Sequence, residues 1–277
     1  MIKLKKWTSL AVSPMIATIL ILGIIVGGLA IGIVFVIPYR DRIIAESTFE
    51  SMKTGFKDIN REILSLISKS TPASNETTQI KLAMRSGAIS SYDPTTLTLY
   101  LNDSTSLTYF SPRRLRYAFH SDHEFLPIGT KKYLLGSDPW TPRSISTSRL
   151  TGNLTLIHPI NSHYFIELDY GLSVLSNVGT DITGADVFVN VTITGIRLEG
   201  IAGGIIDNNP TLSLKVTNST KETIYNSGTK IGDATVSLDI DGDGAGDETC
   251  WTTPSAITEN FYLRIIFVLY TITITSG

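Results

Sequence analysis

The densest chemistry in this sequence is Asp239-Ile-Asp241-Gly-Asp243-Gly244-Ala-Gly-Asp247. Carboxylates at loop positions one, three, five and nine, with glycine at six for the sharp turn, have the spacing by which a short loop wraps an oxygen-seeking cation. Ala245, at position seven, contributes a backbone carbonyl. Position twelve, where such loops usually carry an acid, is Cys250, and Glu248 lies near enough to substitute. The alternative is an acidic turn joining a strand that ends at 240 to one that starts near 261. So many carboxylates in so short a stretch repel one another unless a cation screens them. The spacing therefore favours a structural Ca²⁺ held by Asp239, Asp241, Asp243, Ala245, Asp247 and Glu248.

Other polar groupings are weaker. His120, Asp122, His123 and Glu124 fall together, with His158 and His163 as candidate further ligands for zinc, but loop histidines are mostly just solvated. Glu167 and Asp169 lie two apart on one strand face, a pairing that is usually structural. Asn75, Asn102, Asn153, Asn190 and Asn218 each begin an Asn-x-Ser/Thr sequon and are candidate glycosylation sites if that part of the chain lies outside the cell. Asn190 is expected in mid-strand, where an acceptor is sterically disfavoured. Gly200-Ile-Ala-Gly-Gly204 lacks the strand–helix context of a nucleotide loop. No Ser/His/Asp order, phosphate loop or Cys/His pair stands out, so an enzyme is not expected.

A formal charge of −2, with no basic stripe beyond Arg113-Arg114-Leu-Arg116, argues against a nucleic-acid footprint. Charged residues make up only 17% of the chain, a balance that suits a β-rich secreted body better than a helical enzyme. The single cysteine, Cys250, excludes an intramolecular disulfide, so the body must be held by its hydrophobic core.

The elements that carry these groups begin with an apolar run, Met15 to Ile37, which holds no charge. As a helix it measures roughly 35 Å, enough to cross a hydrocarbon core of about 30 Å. Ser13 is a good N-cap and Pro14 suits the first helical position. Lys3, Lys5 and Lys6 precede the run, and Arg40 and Arg42 follow it. The balance favours a cytoplasmic N-terminus and an extracellular bulk. The run is too long for the apolar region of a cleaved secretory signal. Gly23, Gly27, Gly28 and Gly32 form two Gly-x-x-x-Gly spacings, a smooth strip against which another helix can pack in lipid.

Pro38 is expected to kink or interrupt the helix. Beyond it, Phe49, Met52, Phe56, Ile59, Ile63 and Leu66 recur at spacings of three and four, with Glu50/Lys53 and Asp58/Arg61 on other faces. An amphipathic helix over 38–70 follows. From 71 the period changes to two. Strands are expected at Ile80–Met84, Leu97–Leu101, Ser106–Phe110, Arg116–Phe119, Lys132–Leu135, Leu154–Ile157, Tyr164–Leu168, Leu172–Leu175, Val187–Thr194, Thr211–Val216 and Ala234–Ile240, with a turn at Asn102-Asp103. A last strand at Phe261–Thr275 is expected to be buried on both faces in its first half. The fold class is α+β: a long N-terminal helix, then an all-β, sandwich-like region over 71–277, divisible near 143–150.

The basic leader, then Ala11-Val12-Ser13-Pro14-Met15-Ile16-Ala17-Thr18, then an unbroken apolar helix, resembles the N-terminus of archaeal type IV pilin-like proteins. The resemblance covers about the first 70 residues. The residue before Ala11 is Leu10, where that family usually carries a charge. The resemblance implies that a prepilin-type peptidase cuts between Ala11 and Val12 and that the helix then packs against copies of itself in a surface filament. It also implies that the amphipathic half lies against a β head. A single-pass surface or adhesion glycoprotein that never polymerises is the alternative. The acidic loop in turn resembles the Asp-x-Asp-x-Asp-Gly repeats of extracellular calcium-binding proteins.

Overall fold

A computed structural model describes residues 14–69, 77–84, 87–92, 96–121, 124–136, 152–159, 163–180, 186–201, 204–205, 209–244 and 246–276. The chain is α+β, with an N-terminal helix followed by a β-rich region, and it divides into two compact units between Ser47 and Thr48. Ala11, Val12, Asn75, Asp122, His123, Ala245 and the boundary expected near 143–150 lie outside the described residues.

In the first unit, α1 (Pro14–Ile31) is apolar all round, and its large side chains and those that follow to Ile37 are 44–74% exposed. The helix is long and apolar enough to span a membrane. The interruption expected at Pro38 takes a specific form. Proline has no N–H, and its ring crowds the carbonyl one turn back, so an ordinary ladder cannot run through it. A π-helical turn over Gly32–Val36 widens the ladder, with the Ile37 N–H donating to the Gly32 carbonyl. The helix then resumes as α2 (Ile37–Lys69), whose first turn contains Pro38.

In the second unit, the stripe read from spacing is the buried face of α2: Phe49, Met52, Phe56, Ile59, Ile63 and Leu66. Thr48 and Asn60 are buried beside it, which an apolar stripe does not reveal. The pairs Glu50–Lys53 and Asp58–Arg61 form on the outer faces, as expected.

Three sheets complete this unit. The long sheet runs β1 (Thr77–Lys81), β11 (Thr211–Asn226), β14 (Phe261–Ser276), β10 (Val187–Glu199), β9 (Ser173–Thr180). A second runs β2 (Ala88–Tyr92), β5 (Arg114–His120), β8 (His163–Tyr170), β7 (Gly152–His158), β6 (Thr130–Leu135). The third runs β13 (Glu248–Thr252), β12 (Thr235–Asp239), β3 (Leu97–Leu101), β4 (Thr105–Phe110). Among the described early strands, β3 and β4 form a hairpin, turned by Asn102 and Asp103 at φ 52° and 53°. Strand β1 pairs with β11 and β2 with β5, so the first strands are not a simple meander. Strands β6 and β7, which flank residues 137–151, are hydrogen-bonded neighbours.

The long sheet serves two cores. In β10 the buried residues are Val189, Val191 and Ile193, then Ile196 and Leu198. Its parallel partner β14 buries Phe261, Leu263, Ile265 and Phe267, then Ile272 and Ile274. Successive side chains on a strand point to opposite faces, and the pairing runs without a register shift. The change from odd to even numbers therefore means that the sheet changes its covered face midway. The first half packs with the third sheet, around Trp251, Leu97 and Leu99. The second half packs on the other side with the α2 stripe and the second sheet. Each half is sandwich-like. The expectation that β14 begins buried on both faces is thereby corrected: Tyr262, Ile266 and Val268 are half-buried and Arg264 is exposed, because only one layer covers that half.

Candidate functional site

The acidic loop connects β12 to β13. The intervening strand shortens the connection that sequence reading drew from 240 to about 261, and it is built on the buried pair Cys250 and Trp251. Two neighbouring apolar residues among threonines show too little alternation to be read as a strand.

Three of the expected ligands come together. One carboxylate oxygen each from Asp239, Asp241 and Asp247 lies within 4.8 Å of the others, with Asp239 buried and the other two exposed. Asp243 and Glu248 do not join that group, and Ala245 lies outside the described residues. Backbone donors hold the three in place. Asp239 accepts from the N–H groups of Gly242 at 2.7 Å and Gly244 at 3.1 Å. Asp247 accepts from Ile240 at 2.7 Å and Asp241 at 3.3 Å, and Asp241 accepts from Asp243 at 3.1 Å. Gly242 and Gly244 stand at φ 81° and 88°, the left-handed region in which a side chain is strained.

The loop is also braced from outside. A Cβ on Gly246 would collide with Ser237 and the Asp103 carboxylate, and the Ser237 hydroxyl donates to Asp103. Sequence reading gave Asp103 only a place in a turn. No local spacing reveals that the β3–β4 turn meets a loop so distant in sequence.

Chemically, the arrangement suits a hard cation. Two unit charges about 4.8 Å apart repel by roughly 1 kcal/mol in water and about 3–4 kcal/mol at an effective dielectric of 20. The backbone N–H groups offset part of this, and each oxygen retains acceptor capacity for a cation that takes 6–8 oxygens at about 2.3–2.6 Å.

His158 stands apart from the other described histidines. His120 and His163 are direct cross-strand partners on β5 and β8, with ring centroids 5.7 Å apart. His158 is buried, its Nδ1 within 2.6 Å of the Leu126 carbonyl and its ring stacked on Tyr164. Glu124 is exposed. The carboxylate pair on β8 is structural in form. Asp169 sits 2.7 Å from Arg114, and Glu167 pairs with Arg116, whose guanidinium lies 3.7 Å from the Tyr92 ring centre and 4.4 Å from that of Phe165.

The sequons differ in access. Asn218 is exposed on β11 and Asn102 is exposed in its turn, where its Oδ1 accepts from the Thr235 N–H. Asn190 is half-buried on the uncovered face of β10. Asn153 is 2% exposed and packs where a Cβ on Gly136 would strike it. For Gly23, Gly27, Gly28 and Gly32, no described residue beyond the helix's own turns lies within 4 Å of where a Cβ would stand.

Comparison with known families, with curated proteins and with solved structures finds no match.

Proposed function

We propose that this chain is a membrane-anchored, type IV pilin-like surface protein, a subunit or minor component of a filament with an adhesive or structural role. One observation carries the reading: a charge-free helix bare on every side leads into an amphipathic helix whose stripe is buried in a β body. Removing a large apolar side chain from water is worth about 1.5–3 kcal/mol. Leaving the whole run in water therefore costs roughly tens of kcal/mol, more than the ~5–15 kcal/mol that holds a domain folded. Lipid covers it before assembly and identical helices cover it afterwards. In this reading the N-terminus is cytoplasmic, the β body is extracellular, and a prepilin-type peptidase removes the leader at Ala11–Val12. Asn218 and Asn102 are its accessible glycosylation points, and Asn153 is closed to a glycan once folded.

The glycines separate a filament subunit from a lone anchor. Since no described residue beyond the helix's own turns lies within 4 Å of where a Cβ on Gly27 would stand, Gly27→Leu should leave the fold and membrane insertion intact. Where another helix packs on that strip it collides. The expected result is a protein still extracted from membranes but lost from sheared surface filaments seen by electron microscopy. Filaments unchanged in the variant, or no filaments from the wild type, leave only the non-polymerising surface protein.

The acidic loop is assigned a structural Ca²⁺, held by Asp239, Asp241 and Asp247 and completed by Asp243, Glu248, the Ala245 carbonyl or water. Titration calorimetry on detergent-solubilised protein should show Ca²⁺ binding that disappears in Asp241→Ala. No heat from the wild type refutes the assignment.

A further inference from the structure

The proposed function makes no use of the histidine pair that closes the β5–β8 ladder. On the outer face of that ladder the cross-strand partners run Arg116–Glu167, Ala118–Phe165 and His120–His163. The carboxylates further along it are already engaged by Arg114 and Arg116. At the open end stand two exposed imidazoles.

We propose that His120 and His163 form a two-histidine site for a borderline transition-metal dication such as Zn²⁺ or Cu²⁺. Zinc–nitrogen bonds of about 2.0–2.1 Å at a tetrahedral angle place two ligating imidazole centroids roughly 5 Å apart. The observed separation is 5.7 Å, with the ring planes inclined at 55°, so a small rotation of either side chain brings one nitrogen of each onto a common ion. Both histidines stand at strand ends on directly opposed positions, where the ladder fixes the backbones and the cation costs no loop ordering. Each ring ligates through one nitrogen and leaves the other to a hydrogen-bond acceptor, the arrangement that orients metal-bound histidines. With two protein ligands the site is more open than a three-ligand catalytic zinc site, and water fills its remaining positions. Imidazole prefers this class of metal, whereas the oxygen-only acidic loop prefers Ca²⁺. The two sites should therefore sort cations by ligand chemistry.

The test uses the full-length, detergent-solubilised protein, stripped with chelator and loaded with Cu²⁺. Electron paramagnetic resonance should show coupling to two nitrogens, and Zn²⁺ should displace the signal. His120→Gln and His163→Gln should each abolish the two-nitrogen pattern. They should weaken Zn²⁺ binding by roughly tenfold or more, the loss that even an outer-sphere partner brings. Asp241→Ala should leave the pattern as in the wild type. Because both histidines are exposed, circular dichroism should show unchanged folding. A two-nitrogen signal that survives the double variant overturns the proposal, as does wild-type protein with oxygen-only coordination or no binding. Neither result bears on the filament reading, which the glycine variant tests separately.

Discussion

Cys250 shows how far one side chain's surroundings decide its chemistry. Burial pushes its thiol up to about 12, and the charge of Glu248 adds to the effect. The thiolate is the reactive form, so the folded protein should resist iodoacetamide at about pH 9, where an unfolded thiol is half ionised. Labelling in denaturant should be complete. Fast labelling of native protein would show that the β12–β13 hairpin opens. The linkage has a definite sign. Between the ordinary thiol value of 9.0 and about 12 the folded state holds a proton that the unfolded state has lost. Stability is therefore insensitive to this group below that window and falls as pH rises through it. The sequence could show that Cys250 is alone, but its inertness depends on strand β13, which local periodicity did not reveal. Of the loop carboxylates, Asp239, Asp241 and Asp247 were legible because their spacing is local. The bracing by Ser237 and Asp103 was not, since it arises from tertiary packing of the β3–β4 turn.

The helices were the most legible elements, because a period sustained over many residues leaves little room for another assignment. The α2 stripe was readable residue by residue, and it makes an energetic statement. Phe56 and Met52 are fully buried among the second sheet and the far half of the long one. Phe56→Ala should cost about 3–5 kcal/mol, read as a lower denaturation midpoint of the β body with an unchanged denaturant slope. A loss below about 1 kcal/mol would mean that α2 is not integral to the core. Most strands were legible in place but not in length or partner; β13 was missed, and the strand expected at Ile80–Met84 lies at Thr77–Lys81. Strand β11 extends to Asn226 through two bulges, between Val216 and Asn218 and between Thr223 and Tyr225, and each bulge breaks the alternation that marks a strand. Pairings such as β1 with β11 are set by long-range packing and leave no local signature. The face switch in β10 and β14 is present in the sequence as a change from odd to even apolar positions. It acquires meaning only once the pairing is known to run without a slip.

Over the whole molecule, one chain divides its labour between two helical segments. The apolar helix is exposed and, in the proposed reading, is covered by lipid or by other copies, whereas the stripe of the amphipathic helix is buried in the β body. Composition made that division visible early, because an uncharged run of this length has few uses in water. What the helix is for depends on whether the leader is removed, since the charges of Lys3, Lys5 and Lys6, which precede the apolar run in sequence, would oppose the proposed withdrawal from the membrane into a filament. Intact-mass analysis with N-terminal sequencing of the mature, membrane-extracted protein tests this most directly. A filament subunit should begin at Val12. A chain that retains Met1 and the lysine leader would contradict the filament reading, leaving an anchored surface protein that does not assemble.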